Sequence, residues 1–148
     1  MAEQLFPVFE IPSVTVHAQD VINHYFWPGP LFDFSTGDFV RDGANRVVMV
    51  DGRDEYILWV LKTIKTQLGA CTAYPEYGID IEGAIAENER SAVQSAFERT
   101  ITEGLMRNPR TERVFSFEFG WEADELTIYF IVKPKNLDAF DVNMNVAT

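Results

Sequence analysis

The chain has 148 residues, of which 47% are hydrophobic and twelve are phenylalanine, so we expect one folded domain rather than a disordered chain. Its formal net charge of -11 argues against a nucleic-acid partner, because an acidic surface repels the phosphate backbone. Cys71 is the single cysteine, and the sequence has neither a secretory signal nor an apolar run long enough for a membrane span, so we expect a soluble protein made in a cytoplasm, with no membrane partner.

Residues 1–30 predict an extended N-terminal arm. They contain Pro7, Pro12, Pro28 and Pro30, and each proline removes a backbone donor that a helix needs. Residues 14–16 could form a short edge strand. No lysine or arginine precedes Arg41, so this end of the chain is acidic and apolar.

Residues 31–135 predict an α+β domain, in which a small, mostly antiparallel sheet packs on two main helices. Two short strand candidates, residues 31–34 and 46–50, come first. A helix follows from an Asp51 N-cap, whose carboxylate is expected to bind a first-turn amide, to about Leu68. Its predicted apolar stripe is Ile57, Leu61, Ile64 and Leu68.

The second helix is predicted from about Asn88 to Met106, where the Asn108-Pro109 step follows it. Val93, Ala96, Phe97, Ile101 and Leu105 form its apolar stripe. An antiparallel hairpin comes next. Phe115, Phe117 and Phe119 alternate with Ser116 and Glu118, and the next strand alternates Leu126, Ile128, Phe130 and Val132 with Thr127, Tyr129 and Ile131.

Residues 136–148 predict a C-terminal strand or arm. Phe140, Val142, Met144 and Val146 alternate with polar residues, but no later segment could pair with them. We expect this strand to be donated to a partner, with these four side chains as the partner-binding residues. The alternative is that the segment folds back on its own sheet. Donation further predicts that removing residues 137–148 leaves a folded domain.

The segment between the two helices, residues 74–83, has two possible roles. Glu76, Asp80 and Glu82 could supply the acid and the base or nucleophile of a glycan hydrolase. Tyr74, Pro75, Tyr77 and Gly78 instead suit a rigid structural joint, with Arg110 as an inward anchor that binds loop carbonyls or a carboxylate. We favour the joint, because His17, His24 and Cys71 match no metal motif or nucleophile arrangement, and we expect no catalytic residue, cofactor or metal.

The order of these motifs resembles a known family. Trp27, Phe32-Asp33-Phe34 and Gly37 precede the first helix; Tyr74-Pro75-x-Tyr77-Gly78 lies between the helices; Asn108-Pro109-Arg110 and Val114 precede the hairpin. This pattern is similar to the baseplate wedge and sheath-initiator proteins of contractile phage tails, some of which carry a lysozyme-like label. Residues 69–72 read Gly-Ala-Cys-Thr, where the family usually has Thr-x-Arg.

The resemblance implies a structural protein of the virion tail baseplate, assembled in the host cytoplasm. Such a protein would template the first sheath ring and link the sheath to wedge and hub or tube proteins, in multiple copies around a ring. Neighbouring subunits would add strands to each other's sheets, and no catalysis would be needed. The alternative function is a peptidoglycan hydrolase that uses the carboxylates of residues 74–83.

Overall fold

The computed structural model describes residues 28–148, so the predicted arm up to Trp27, with His17 and His24, lies outside the described residues. The α+β class is confirmed. The order of elements is β1 (Gly29–Pro30), β2 (Phe32–Asp33), β3 (Asp38–Phe39), β4 (Met49–Val50), α1 (Gly52–Lys65), α2 (Ile81–Ile85), α3 (Arg90–Met106), β5 (Thr111–Glu122), β6 (Glu125–Pro134) and β7 (Phe140–Ala147).

The first four strands form two short antiparallel ladders, β1 with β4 and β2 with β3. Backbone hydrogen bonds join the ladders, because Leu31 N donates to Val48 O at 2.8 Å and Val40 N donates to Leu31 O at 2.9 Å. The tight turn after β2 is held by Asp33, whose carboxylate accepts from the amide and hydroxyl of Ser35. This region immediately precedes α1.

Helix α1 differs from its prediction at both ends. The Asp51 side chain makes no capping hydrogen bond, and Gly52 turns the chain into the helix with φ +56°. The helix ends at Lys65 rather than near Leu68, because Thr66 and Leu68 bond to the backbone of Ile79 instead. The fully buried face is also rotated by one position and consists of Tyr56, Val60, Thr63 and Ile64. Ile57 and Leu61, which were predicted for this face, pack only at its border.

Helix α3 matches its prediction closely. Four of the five predicted stripe residues are buried, namely Val93, Phe97, Ile101 and Leu105, and Ala96 packs beside them. The short helix α2 was not predicted, because its five residues are too few to show a helical period. It packs mainly against α3.

The main sheet is antiparallel with the order β5-β6-β7, and its inner face packs on α1 and α3. Leu126, Ile128, Phe130 and Val132 of β6 are fully buried, as the alternation predicted. Strand β5 contains a bulge between Phe115 and Glu118, at Ser116, whose φ is +57°. Phe115, Phe117 and Phe119 were predicted to share one face of the strand, and this is wrong for Phe115. Phe115 pairs with Ile131, whereas Phe117 and Phe119 pack on the core.

The C-terminal segment is a strand, as its alternation predicted, but it folds back as the third strand of this sheet instead of extending as a free arm. Strand β7 pairs with β6 over eight residues, from Phe140 opposite Val132 to Ala147 opposite Glu125. Phe140, Val142, Met144 and Val146 face the chain's own core and are at most 9% exposed. The sequence has no tight turn here, but Lys133 Nζ donates to Leu137 O at 2.6 Å and stabilises a longer connection.

Candidate functional site

Gly78, one of the residues predicted to form a joint, lies where the chain after α1 comes close to α3. Its φ of +104° favours glycine, and a Cβ atom at this position would lie 2.4 Å from Thr66 O. A Cβ atom on Gly104 of α3 would lie 2.7 Å from Ile79 Cγ2 and 3.0 Å from Gly78 O. Two glycines on different elements thus allow a close backbone approach that larger residues would prevent.

A polar network locks the same region from the other side. Gln67 Nε2 donates to Asp80 Oδ1 at 2.9 Å, while Gln67 Oε1 accepts from the amides of Ile81 and Glu82. Asp80 also caps α2 by accepting from Gly83 N at 3.0 Å, and its own amide donates to Thr100 Oγ1 of α3. One glutamine therefore joins the end of α1 to the start of α2, a role that no sequence pattern indicated.

The remaining joint residues lie nearer the surface. Tyr77 N donates to Tyr74 O at 3.0 Å and closes a turn around Pro75, a residue suited to that position by its fixed φ. The Tyr74 side chain is 66% exposed, so it contributes little packing. Tyr77 is half-buried, and burial raises the pKa of its phenol, while the nearby hydroxyl of Thr63 on α1 opposes this shift.

Arg110 lies just before β5 and is only 8% exposed. Its guanidinium forms an ion pair with Glu55 of α1 and lies 5.3 Å from the centre of the Tyr56 ring. Asn108 Oδ1 accepts from the Arg110 amide at 2.9 Å, and Arg110 O accepts from Lys135 N at 2.7 Å. Arg110 thus joins α1, the loop after α3 and the end of β6. The sequence indicated an inward anchor but not its partner, Glu55.

The three carboxylates considered for catalysis have different environments. Glu76 and Glu82 are exposed, whereas Asp80 is held in the network around Gln67. The hydrogen bond from Gln67, followed by that from the Gly83 amide, lowers the pKa of Asp80. A glycosidase needs one carboxylic acid with a raised pKa, so the shift of Asp80 has the wrong sign for that role.

Between residues 28 and 148, β7 pairs with β6 alone, so its other edge has no partner strand in this part of the chain. Thr148 N donates to Asp124 O at 2.8 Å, and this bond extends the β6–β7 ladder by one pair. Because hydrogen-bonded pairs alternate in an antiparallel ladder, even-numbered residues of β7 direct their amides towards β6. The odd-numbered residues therefore direct their backbone amides and carbonyls away from β6, in the plane of the sheet. These residues are Asp141, Asn143, Asn145 and Ala147.

An open groove of about 690 Å³ runs beside this edge. One wall is β7, from Asn143 to Ala147, and the other consists of Ile64 and Lys65 of α1 with Ile81 and Ile85 of α2. The sequence predicted the strand but missed the groove, because its two walls are more than fifty residues apart along the chain. The alternation of β7 predicts which side chains lie on each face of the sheet. It does not predict which backbone amides point towards the open edge.

The two edges of the main sheet differ in their protection. The β5 edge carries the bulge at Ser116 and exposed charges at Glu112, Arg113 and Glu118, all features that oppose the pairing of another strand. Strand β7 has an unbroken eight-residue register and one charged residue, Asp141. In the part of the chain that the structure describes, this edge has no bulge and lies beside a wall that contains Ile64, Ile81 and Ile85, so it is suited to β-strand addition.

Within residues 28–148, the sheet therefore has one protected edge and one edge without a partner strand, and an edge of the second kind can join another chain through backbone hydrogen bonds. Residues 30–136 match the family model of the contractile injection system sheath initiator, and the chain belongs to that family. The resemblance noted in the sequence is thereby confirmed. The family gives the protein a structural role in a contractile tail.

Among solved structures, a proposed tail lysozyme from Geobacter sulfurreducens has a similar fold, with a TM-score of 0.59. The two chains are 15% identical, and the similarity covers 69% of this chain and 96% of the other. At this identity the likeness concerns the fold alone. A search of curated proteins finds no match.

Between residues 28 and 148, no helix combines the length and the apolar character needed to cross a bilayer. Within the same residues, no three histidine, cysteine, aspartate or glutamate side chains are grouped so that they could hold a metal ion.

Proposed function

We propose that this protein is a non-enzymatic baseplate component that templates the first ring of the tail sheath. Several copies, arranged in a ring at the end of the tail, would link the sheath to the wedge and to hub or tube proteins. Each copy would accept a strand from a sheath subunit at the β7 edge. Membership of the sheath initiator family supports a structural role in a contractile tail. We further propose that the protein lies in the tail baseplate of the virion after assembly in the host cytoplasm.

The observation that carries the proposal is the open β7 edge. Four residues direct backbone donors and acceptors outward that no other group of residues 28–148 bonds, and a strand that paired with them would form a ladder of hydrogen bonds. Each such bond contributes about 0.5–1.5 kcal/mol net, so a full ladder could hold a subunit in place. Because β7 already fills its own sheet, this chain would accept a strand at this edge rather than donate its C-terminal segment.

The geometry of residues 74–83 supports a mechanical role instead of hydrolysis. Gly78, Gln67 and Asp80 fix the end of α1 against α2 and α3, so force applied to the sheet edge would reach a stiff domain. The pKa of Asp80 is lowered rather than raised, which disfavours it as a catalytic acid. Purified protein should therefore leave peptidoglycan intact; hydrolysis that is abolished by Glu76→Gln would contradict this part of the proposal.

The test uses a substitution that blocks the edge without disturbing the fold. Asn143→Pro removes an outward amide and places a ring on the open side, a change that edge strands tolerate. Asn143→Thr is the matched control, because threonine keeps the backbone N–H that proline removes. We expect both variants to melt within a few degrees of the parent protein, while only Asn143→Pro fails to nucleate sheath on purified baseplates.

Sheath length and number per baseplate, counted by negative-stain microscopy, provide the measurement. Folded Asn143→Pro protein that still nucleates sheath at the parental frequency would overturn strand acceptance at β7. A loss of nucleation in Asn143→Thr as well would assign the effect to the asparagine side chain and would also contradict the proposal.

A further inference from the structure

We propose that the β7 edge selects a strand from a different protein, one that is apolar on its groove side and basic on its outer side. This inference rests on the proposed function and specifies the chemistry of the partner. It follows from the two faces of β7, which an added strand would extend.

The groove side requires alternate apolar residues. Side chains opposite Met144 and Val146 would point to the same side as these two residues, since directly paired residues share a face. That side of the edge is bounded by Ile81 and Ile85 of α2. A strand with apolar residues two positions apart would cover this wall, whereas polar groups there would lose water without gaining partners.

The outer side is acidic at the same edge. Asp141 and Asn143 are exposed there, and Tyr129 lies opposite Asn143 on β6. Burial raises the pKa of the Tyr129 phenol, and the negative charges of Asp141 and Glu118 raise it further. Both carboxylates therefore lie near Tyr129 on this outer face.

Neighbouring cations have other partners within residues 28–148. Lys133 pairs with Glu112 at 3.6 Å and donates to the carbonyl of Leu137, while the Arg113 guanidinium lies 4.4 Å from the centre of the Phe115 ring. A lysine or arginine opposite Asp141 on the added strand would therefore face a carboxylate whose charge is not neutralised by the ion pairs of this region.

Neither end of this chain has the required chemistry. Residues 1–40 contain no lysine or arginine, and neither do residues 136–148. With a net charge of -11, a second copy would repel the patch rather than complement it. The occupant that fits is thus a basic, alternating segment of a partner protein, and self-association is the competing outcome.

The experiment measures the binding of short labelled peptides to the full-length protein by fluorescence anisotropy at low ionic strength. Three peptides of about eight residues match the length of β7: alternating Val-Lys, alternating Val-Glu, and a block-ordered peptide with the composition of the first. We expect Val-Lys to bind at least about tenfold more tightly than either of the others, and to lose this advantage in high salt.

Three variants assign the binding to the edge. Asn143→Pro should abolish it, and Asp141→Asn should weaken Val-Lys binding about two- to fivefold, the range of one cross-strand charge pair. Glu98→Gln makes the same charge change at an exposed position of α3 and should have no effect.

The remaining outcomes contradict the inference in distinct ways. Equal affinity for Val-Lys and Val-Glu would refute the selection by charge, and equal affinity for the block-ordered peptide would refute the requirement for alternation. Binding of the protein to itself in place of the peptides, or no binding at all, would also overturn it. In each of these cases, Asn143→Pro could still abolish sheath nucleation. That result would support the proposed function although the inference about the partner's chemistry had failed.

Discussion

Replacement of Arg110 by alanine removes the side chain that joins three parts of the fold. Arg110 is 8% exposed and pairs with Glu55, whose side chain is 20% exposed. It also lies over the Tyr56 ring at 5.3 Å. In Arg110→Ala the Glu55 carboxylate would remain in a largely buried position without its main cation, and the ring would lose its contact.

The expected cost follows from these two contacts. A hydrogen bond to a charged group contributes about 1.5–3 kcal/mol, and a partly buried cation–π contact adds about 0.5–2 kcal/mol. Water can reach the exposed part of Glu55, which reduces the penalty below that of a fully buried pair. We expect a loss of about 2–4 kcal/mol, or about 6–12 °C in Tm for a chain of this size.

Thermal and urea unfolding, followed by circular dichroism, measure this loss. Arg113→Ala is the matched control, because Arg113 is exposed and contacts only one half-buried ring in its cation–π pair; its Tm should change by less than about 3 °C. The double variant with Glu55→Gln should recover part of the loss, since it removes the stranded charge. An unchanged Tm in Arg110→Ala would refute the assignment of Arg110 as an anchor.

Three further changes probe other parts of the structure. Gly78→Ala should destabilise the fold by about 3 kcal/mol or more, because of its positive φ and the contact with Thr66 O, whereas Gly43→Ala, where a Cβ atom meets nothing within 4 Å, should be nearly neutral in the same urea titration. Because the pKa of Asp80 is lowered in the folded state, its ionised carboxylate stabilises the fold fully above the ordinary pKa of 3.8. This stabilisation is lost as the pH falls through the folded-state pKa, so Asp80→Asn should weaken the dependence of the unfolding free energy on pH in acid. An unchanged dependence on pH would contradict this. Removal of residues 137–148 should abolish cooperative unfolding, since four buried side chains at about 1.5–3 kcal/mol each approach the whole stability of a small domain; a sharp transition in the truncated protein would instead favour the original expectation of a detachable arm.

Local patterns predicted the elements better than their partners. The stripe of α3 was correct because Val93, Phe97, Ile101 and Leu105 repeat at helical spacing over four turns. The stripe of α1 was rotated, because a tyrosine at position 56 and a threonine at position 63 are buried where hydropathy alone favoured Ile57 and Leu61. Tyr56 can be buried there because its hydroxyl hydrogen-bonds to Thr111 at 2.6 Å.

The errors in the sheet have a common cause, which is long-range pairing. Alternation identified β7 as a strand but carried no information on which chain it would join. The bulge at Ser116 depends on the register with β6, so the sequence could not reveal that Phe115 turns away from the core. The residue types around Gly78 indicated a close backbone approach, whereas the hydrogen bonds of Gln67 depend on a backbone that the chain forms only after folding.

The central claim is that the open β7 edge receives a strand from the sheath. A cryo-electron microscopy map of the assembled baseplate with its first sheath ring, at a resolution that traces the backbone, tests this most directly. We predict a fourth strand that pairs with Asp141, Asn143 and Asn145 and belongs to a sheath subunit. A β7 edge left open to solvent, or covered only by another part of the same chain, while the sheath contacts a different surface, would contradict the account.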